Sequence, residues 1–321
     1  MSGSFFDEYS LPSPDYQLSI GGGSAADQVG RGVSAVNRAL REISPRLVVV
    51  IGDTNSTLAG ALAGAQLGIP IVHVEAGVRS YDLSLIEEVN RRAIDAISRL
   101  HLCPSSRARE QLAQEGHEGS SVFVGDLLLD MIVRTSEVRL QLMEIWRKEL
   151  PEIGDSSIFT FHRAATVSDP RVLGEVVEAI LTMSSPVVCL LHPGTQSALA
   201  DAGLLKHLLS TRRVTVLPAQ PHGSLLALLS CSARVFTDSN GVQREALFLG
   251  VPCHILRESS EFRESIDLDL GLLVGTDGAR IRAAEWHQPD RAAFDGVREI
   301  FGNGRASRRC VDAISRLTQD L

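Results

Sequence analysis

Short runs of branched apolar residues alternate with longer stretches in which Ala and Leu recur at helical spacing. That alternation is the mark of strand–helix–strand units, which build parallel sheets with helices on both faces. Candidate strands are 47–51, 71–75, 122–124, 158–161, 187–191, 214–217, 235–237 and 253–256. They are nearly continuous apolar runs, as strands buried on both faces should be. The pattern therefore predicts an α/β fold. Between 126 and 150 it becomes one long helical stretch closed by Pro151 and Gly154, after which the alternation restarts. This places an N-terminal domain at 1–149 and a C-terminal domain at 150–304, with a terminal helix, 305–321, free to pack back on the first. The opening residues read as a helix end, a proline-containing loop and a short strand at 16–20. The first full helix is expected at Ala25–Ile43, led by Gly21-Gly22-Gly23-Ser24. Those glycines lack the complete spacing of a phosphate loop and fit a flexible lead-in better.

A length of 321 residues fits two domains. With 44% hydrophobic and 22% charged residues the chain has enough apolar surface to fold. A net charge of −8 argues against a nucleic-acid partner, which needs clustered Lys and Arg. Five cysteines, odd in number and without a Cys-x-x-Cys pair, suit a reduced, cytoplasmic setting. The leading residues carry no basic start before an apolar run, so no secretory signal is expected. No stretch reaches the roughly 18 apolar residues of a membrane helix, so no membrane association is expected.

Chemistry-bearing residues cluster where predicted strands end. Gly52-Asp53-Thr54 follows one strand and opens a helix, at the carboxyl edge where open α/β sheets bind ligands; Asp53 or Thr54 could equally be a helix cap. The next strand ends in His73-Val74-Glu75-Ala76-Gly77-Val78-Arg79, setting Glu75 at the same edge. Burying a carboxylate is costly unless it is paired or used, and a Glu75–Arg79 ion pair is the plain alternative. Glu87 and Arg91 share one helix face, Glu88 and Arg92 the adjacent one; a solvated surface would look the same. In the second half, His162-Arg163 and His192 follow successive strands. Asp238-Ser239-Asn240-Gly241 then joins a strand to a helix whose free N–H groups could hold a diphosphate, with Glu245 one turn in and able to accept from ribose hydroxyls.

In this order, Gly52-Asp53-Thr54, His73-Val74-Glu75-Ala76-Gly77-Val78-Arg79, Glu87-Glu88-Val89-Asn90-Arg91, His162-Arg163 and Asp238-Ser239-Asn240-Gly241-Val242-Gln243-Arg244-Glu245 resemble the UDP-N-acetylglucosamine 2-epimerase family. The similarity runs from Pro14 to about Asp277. It implies two facing Rossmann-like domains in the glycosyltransferase-B arrangement, with the site in the cleft. It further implies that Asp53, Glu75 and Glu87 are acid/base carboxylates oriented by Arg91, and that His162 assists the departing UDP. His192, Ser239, Asn240, Gly241, Glu245 and Arg263 would hold the nucleotide, with Gln220 near the base. A UDP-sugar substrate, a homodimer, no cofactor and no metal follow from the same resemblance.

Several features depart from the family. Its opening strand and Gly-Thr-Arg-Pro-Glu turn have no counterpart here, a gap of roughly 50–60 residues at ~30 or more per βαβ unit. Leu225 stands where an aromatic covers the base, Asn240 replaces a glycine, and Phe262-Arg263 replaces an Arg-Pro pair, leaving Arg263 to recover the charge. Ala164-Ala165-Thr166 follows the His-Arg pair where an acidic residue is usual, and the segment between Glu75 and Glu87 is shorter. A sugar transferase of the same architecture and a degenerate UDP-sugar-binding protein are the competing readings; the trio Asp53, Glu75 and Glu87 disfavours both.

Overall fold

The computed structural model describes residues 6, 8–319 and 321. The leading residues 1–5, part of the expected helix end, lie outside them. The chain separates into two compact units, Pro12–Asp130 with Arg298–Leu321, and Met131–Val297 with the described residues up to Leu11. Among the described residues no helix is long and apolar enough to cross a membrane.

The first unit carries a four-stranded parallel sheet in the order β1 (Val48–Ile51), β2 (Ile71–Val74), β3 (Leu100–Cys103) and β4 (Ser121–Phe123). Helix α1 (Ala25–Ile43) begins at Ser24 with a reciprocal cap: the Ser24 hydroxyl accepts from the Asp27 amide, and Asp27 accepts from the Ser24 amide. The glycine triplet thus serves as a helix lead-in, and Arg31 folds back onto the carbonyls of Ile20 and Gly21. Helices α2 (Asn55–Gln66) and α3 (Ile86–Ile97) cover one face, where Val50, Ala61, Ile71 and Ile94 pack together. The other face, Val72, Val74, Leu102 and Val124, is covered by α11 (Ala306–Gln319) through Cys310, Ile314 and Leu317. Asp130 caps α11 by accepting from the amides of Ala306 and Ser307. Gly125, at φ +99°, lets the Phe301 carbonyl close in; a Cβ there would lie 2.6 Å from that oxygen. On this face β1 is less covered, with Val49 41% and Ile51 59% exposed.

Three expectations need correction. No strand forms at 16–20, because Ser19 turns to φ +47° and interrupts an extended run. The helical stretch 126–150 is two helices, α5 (Leu127–Arg134) and α6 (Ser136–Glu149), broken at Thr135, whose ψ of 11° is not helical. Strand β3 was not among the expected strands.

The second unit has a five-stranded parallel sheet, ordered β7 (Val214–Pro218), β6 (Val187–Leu191), β5 (Ser157–Thr160), β8 (Arg234–Thr237), β9 (Cys253–Ile255). From β5 the chain first walks outward through β6 and β7, then returns to the opposite side with β8. The switch point, where such sheets open a crevice at their carboxyl ends, therefore lies between β5 and β8. Its core includes Phe159 and Phe236, stacked on neighbouring strands at 4.5 Å between ring centroids.

Candidate active site

In the four-stranded unit the end of β1 carries Gly52 at φ +73° and then Asp53. Thr54 caps α2, its hydroxyl accepting from the Thr57 amide at 3.4 Å. The cap role therefore belongs to Thr54, which frees the Asp53 side chain for other partners. Its carboxylate accepts from Arg91 Nη2 at 2.5 Å, and its carbonyl accepts from Asn90 Nδ2 at 2.8 Å. Both donors stand on α3, so one turn of that helix grips one residue of the β1 edge. Asp53, Thr54, Asn55, Glu87 and Asn90 line a single open cleft. Arg91 is drawn to Asp53, with Glu88 3.5 Å from its other nitrogen. Glu88, fully buried, accepts from the Ser80 amide at 2.8 Å and from Arg92 at 3.0 Å, tying down the loop before α3.

Glu75 ends β2 at φ +70°, a left-handed conformation uncommon for a residue with a Cβ. The amides of Glu75 and Ala76 both donate to the Leu102 carbonyl, at 3.0 and 3.2 Å. Gly77 follows at φ +81°, where a Cβ would lie 2.2 Å from the Ala108 carbonyl oxygen, so only glycine fits. Arg79 does not take Glu75 as its ion partner. It forms a two-toothed pair with Glu115, at 3.0 and 2.6 Å, and lies 2.7 Å from Asp95 Oδ2. Asp95 also accepts from His73 Nδ1 at 2.6 Å and from the Gly77 amide at 3.2 Å. Burial alone would raise the Asp95 carboxyl, but the hydrogen bond and charge of His73, followed by Arg79, outweigh it and hold it below the ordinary carboxylate range.

In the five-stranded unit, His162 lies two residues after β5, while His192 and Asp238 directly follow β6 and β8. Asp238 is fully buried and accepts from the amides of His162, at 3.1 Å, and Arg163, at 2.9 Å, and from the Thr166 hydroxyl at 2.8 Å. The half-exposed His162 ring, 3.7 Å from the same carboxylate, stands over the switch point. His192 caps α8 (Pro193–Asp201), its Nδ1 accepting from the Gly194 amide at 3.3 Å, with its ring 6.2 Å from that of His162.

Ser239 caps α10 (Asn240–Phe248), accepting from the Val242 amide at 3.4 Å. A Cβ on Gly241 would meet only the Ser239 hydroxyl, at 3.8 Å, so the start of the helix is open. The Glu245 side chain is 7% exposed; Oε1 accepts from His222 Nε2 at 2.7 Å, while Oε2 is buried with no hydrogen-bond partner among the described residues. Such an oxygen calls for a donor. His222 in turn accepts from the Tyr9 hydroxyl, and Glu8 accepts from the His222 and Gly223 amides at the start of α9 (His222–Cys231). Burial, then the charges of Glu8 and Glu245, push the Tyr9 phenol up to about 12. Gln220 bonds locally, donating to the Pro218 carbonyl at 2.9 Å. Leu225 packs into the core.

Arg263 is half-exposed and pairs with Asp267 at 3.5 Å. The cation beside the α10 start is Arg257, 9% exposed, which donates to Asn240 Oδ1 and to Glu261 at 2.7 Å. Phe262 lies under the Arg244 guanidinium at 4.3 Å, a cation–π contact. Sequence reasoning missed Arg257, Asn90, His222 and Asp95; for Asn90 the signal was its place within the Glu87–Arg91 motif.

Comparisons with known proteins agree in direction. The sequence profile of a family described as UDP-N-acetylglucosamine 2-epimerase matches residues 1–315. UDP-2,3-diacetamido-2,3-dideoxy-D-glucuronate 2-epimerase of Pseudomonas aeruginosa is 34% identical, across 99% of this chain and 88% of its own. UDP-N-acetylglucosamine 2-epimerase of Methanocaldococcus jannaschii is 32% identical, across 96% and 85%. A crystal structure of the M. jannaschii UDP-GlcNAc 2-epimerase with UDP-GlcNAc and UDP matches 98% of this chain and 88% of that one, with a TM-score of 0.89 and 31% identity.

Proposed function

Because the chain belongs to the UDP-N-acetylglucosamine 2-epimerase family, we propose that it interconverts UDP-N-acetylglucosamine, or a close 2-acetamido relative, with its 2-epimer by loss and return of UDP at carbon 1. The observation that carries this reading is the set of carboxylates at one sheet edge, with Asp53 gripped by Arg91 in the cleft that Glu87 lines.

The reaction explains the set. One carboxylate removes the proton from carbon 2; the C–H electron pair forms the C1=C2 double bond, and the C1–O pair leaves with the β-phosphate of UDP. Inverting carbon 2 requires the new proton to arrive from the opposite face, so a second acid must stand across the ring. Asp53, Glu75 and Glu87 are the candidates for these roles, and Arg91 orients Asp53. In the five-stranded unit the open start of α10, with Ser239, Asn240 and Gly241, suits the diphosphate, because its free amides and helix dipole favour an anion. Arg257 adds a charge there, Glu245 Oε2 suits a ribose hydroxyl donor, and His162 suits the developing charge on departing UDP. His192, Gln220 and Arg263 complete the nucleotide side in this reading, Arg263 at its rim.

The working form is taken as a cytoplasmic homodimer. Five reduced, buried cysteines support the compartment, and the exposed apolar pair Val138 and Ile145, one heptad apart on α6, supports a partner. Light scattering of the purified protein measures the oligomer.

Incubation with UDP-N-acetylglucosamine in deuterium oxide tests the chemistry: the 2-epimer should accumulate with deuterium at carbon 2. Neither exchange nor epimer from this substrate or from UDP-2,3-diacetamido-2,3-dideoxy-D-glucuronate would reject the reading.

A further inference from the structure

The four-stranded unit contains a buried charged network with no direct place in that chemistry. His73, Arg79 and Asp95 are each at most 5% exposed. Asp95 Oδ2 faces the guanidinium of Arg79 at 2.7 Å and the amide of Gly77 at 3.2 Å, and its Oδ1 faces His73 Nδ1 at 2.6 Å. The far nitrogen of His73 lies 2.9 Å from the Gly52 carbonyl. A carbonyl and an ionised carboxylate can only accept, so both ring nitrogens of His73 must carry hydrogens. Charge leads to the same state. Asp95 and Glu115 set two carboxylates against the single guanidinium of Arg79, and an imidazolium makes the cluster neutral. His101, which donates from Nε2 to the Asp95 carbonyl at 2.8 Å, touches only the main chain of Asp95.

Two arms leave Asp95. One passes through the His73 ring to Gly52, the residue before Asp53. The other reaches the Gly77 amide, two residues beyond the left-handed Glu75. We propose that Asp95 is a positioning residue: through a doubly protonated His73 and the Gly77 amide it fixes the Gly52–Asp53 and Glu75–Gly77 turns against each other, and so sets the spacing of the two carboxylates. This rests on the acid/base roles assigned above to Asp53 and Glu75. Arg91 and Asn90 orient Asp53 from α3, whereas Asp95 orients the main chain that carries it. An amide in place of Asp95 could still accept from His73. It could not offer a second anionic oxygen to Gly77 and Arg79, and it would remove the charge that holds the second proton on the ring.

The test combines a spectrum of the unaltered protein with one substitution. In ¹⁵N-labelled wild-type protein at pH 7.5, the His73 ring, assigned by its loss in His73→Gln, should show two protonated nitrogens; a neutral ring there overturns the proposal. In Asp95→Asn the expected result is a fall in kcat of about tenfold to a hundredfold, the scale of a roughly 1 Å misplacement of reacting groups. KM and the dissociation constant for UDP should stay within about twofold, and His73 should revert to a single N–H. An unchanged kcat in a folded Asp95→Asn protein, beside an active wild type, overturns the positioning role alone. A wild type that exchanges no deuterium at carbon 2 overturns the reaction instead, and the ring spectrum then judges the network by itself.

Discussion

Glu75 should trade stability for chemistry. At φ +70° it occupies the left-handed region, which costs a residue with a Cβ about 1–2 kcal/mol. Glycine relieves that cost but brings about 0.5–1 kcal/mol of extra chain entropy in the unfolded state. Glu75→Gly should therefore be more stable by about 0.5–1 kcal/mol than Glu75→Ala, which loses the same side chain but keeps the strain, roughly 2 °C in the thermal midpoint for a domain of this size, while epimerisation disappears. Glu75→Gln keeps the strained main chain, so it should lose activity with no gain in stability. The assay pairs calorimetry with deuterium exchange at carbon 2. The two Leu102 hydrogen bonds and the tight fit at Gly77 help to hold the Glu75 main chain in place. A Glu75→Gly protein that melts earlier than Glu75→Ala, or that still turns over, would refute the claim that strain is kept there for function.

Other outcomes follow from the same geometry. Arg91→Lys should lower kcat by about tenfold or more in steady-state assays, because a lysine lacks the fork that reaches Asp53 and Glu88 together. Asp238→Asn should cost about 1.5–3 kcal/mol in urea unfolding and weaken UDP binding by calorimetry, since a buried acceptor of two amides and a hydroxyl loses its charge. The depressed Asp95 and Glu115 carboxyls contribute stability that is full above the ordinary carboxylate range and drains as pH falls through their folded values. Acid unfolding should therefore be shallower in Asp95→Asn, as read by circular dichroism below about pH 4. Burial pushes the thiols of Cys103 and Cys189 up to about 12 and of Cys310 to about 11, with Cys231 and Cys253 also raised. Ellman's reagent at pH 8 should thus react slowly with native protein and titrate five thiols once it is unfolded.

Apolar periodicity located α1 and β6 to the residue, because Ser24 is a strong start signal and 187–191 is purely apolar. It missed β3, where His101 interrupts the run; that ring is buried because Ser120 and the Asp95 carbonyl satisfy both of its nitrogens, a pairing that spacing alone does not reveal. That Asp53, Glu75 and Ser239 follow strands was legible because strand ends of an α/β sheet are few and their turn residues distinctive. Asp95 and Arg257 were not, since each looks like an ordinary surface charge until long-range folding buries it. Arg263 was singled out for its nearness to the altered Phe262 position, whereas Arg257 is the cation held beside the start of α10.

Among the described residues the Val48–Ile51 ribbon has a neighbour on one side only, and two of its branched side chains face water. A border of that kind leaves main-chain donors and acceptors unspent beside a greasy stripe, so any stretched-out apolar segment can zip onto it. That margin is where the four-stranded sheet would take up a further strand.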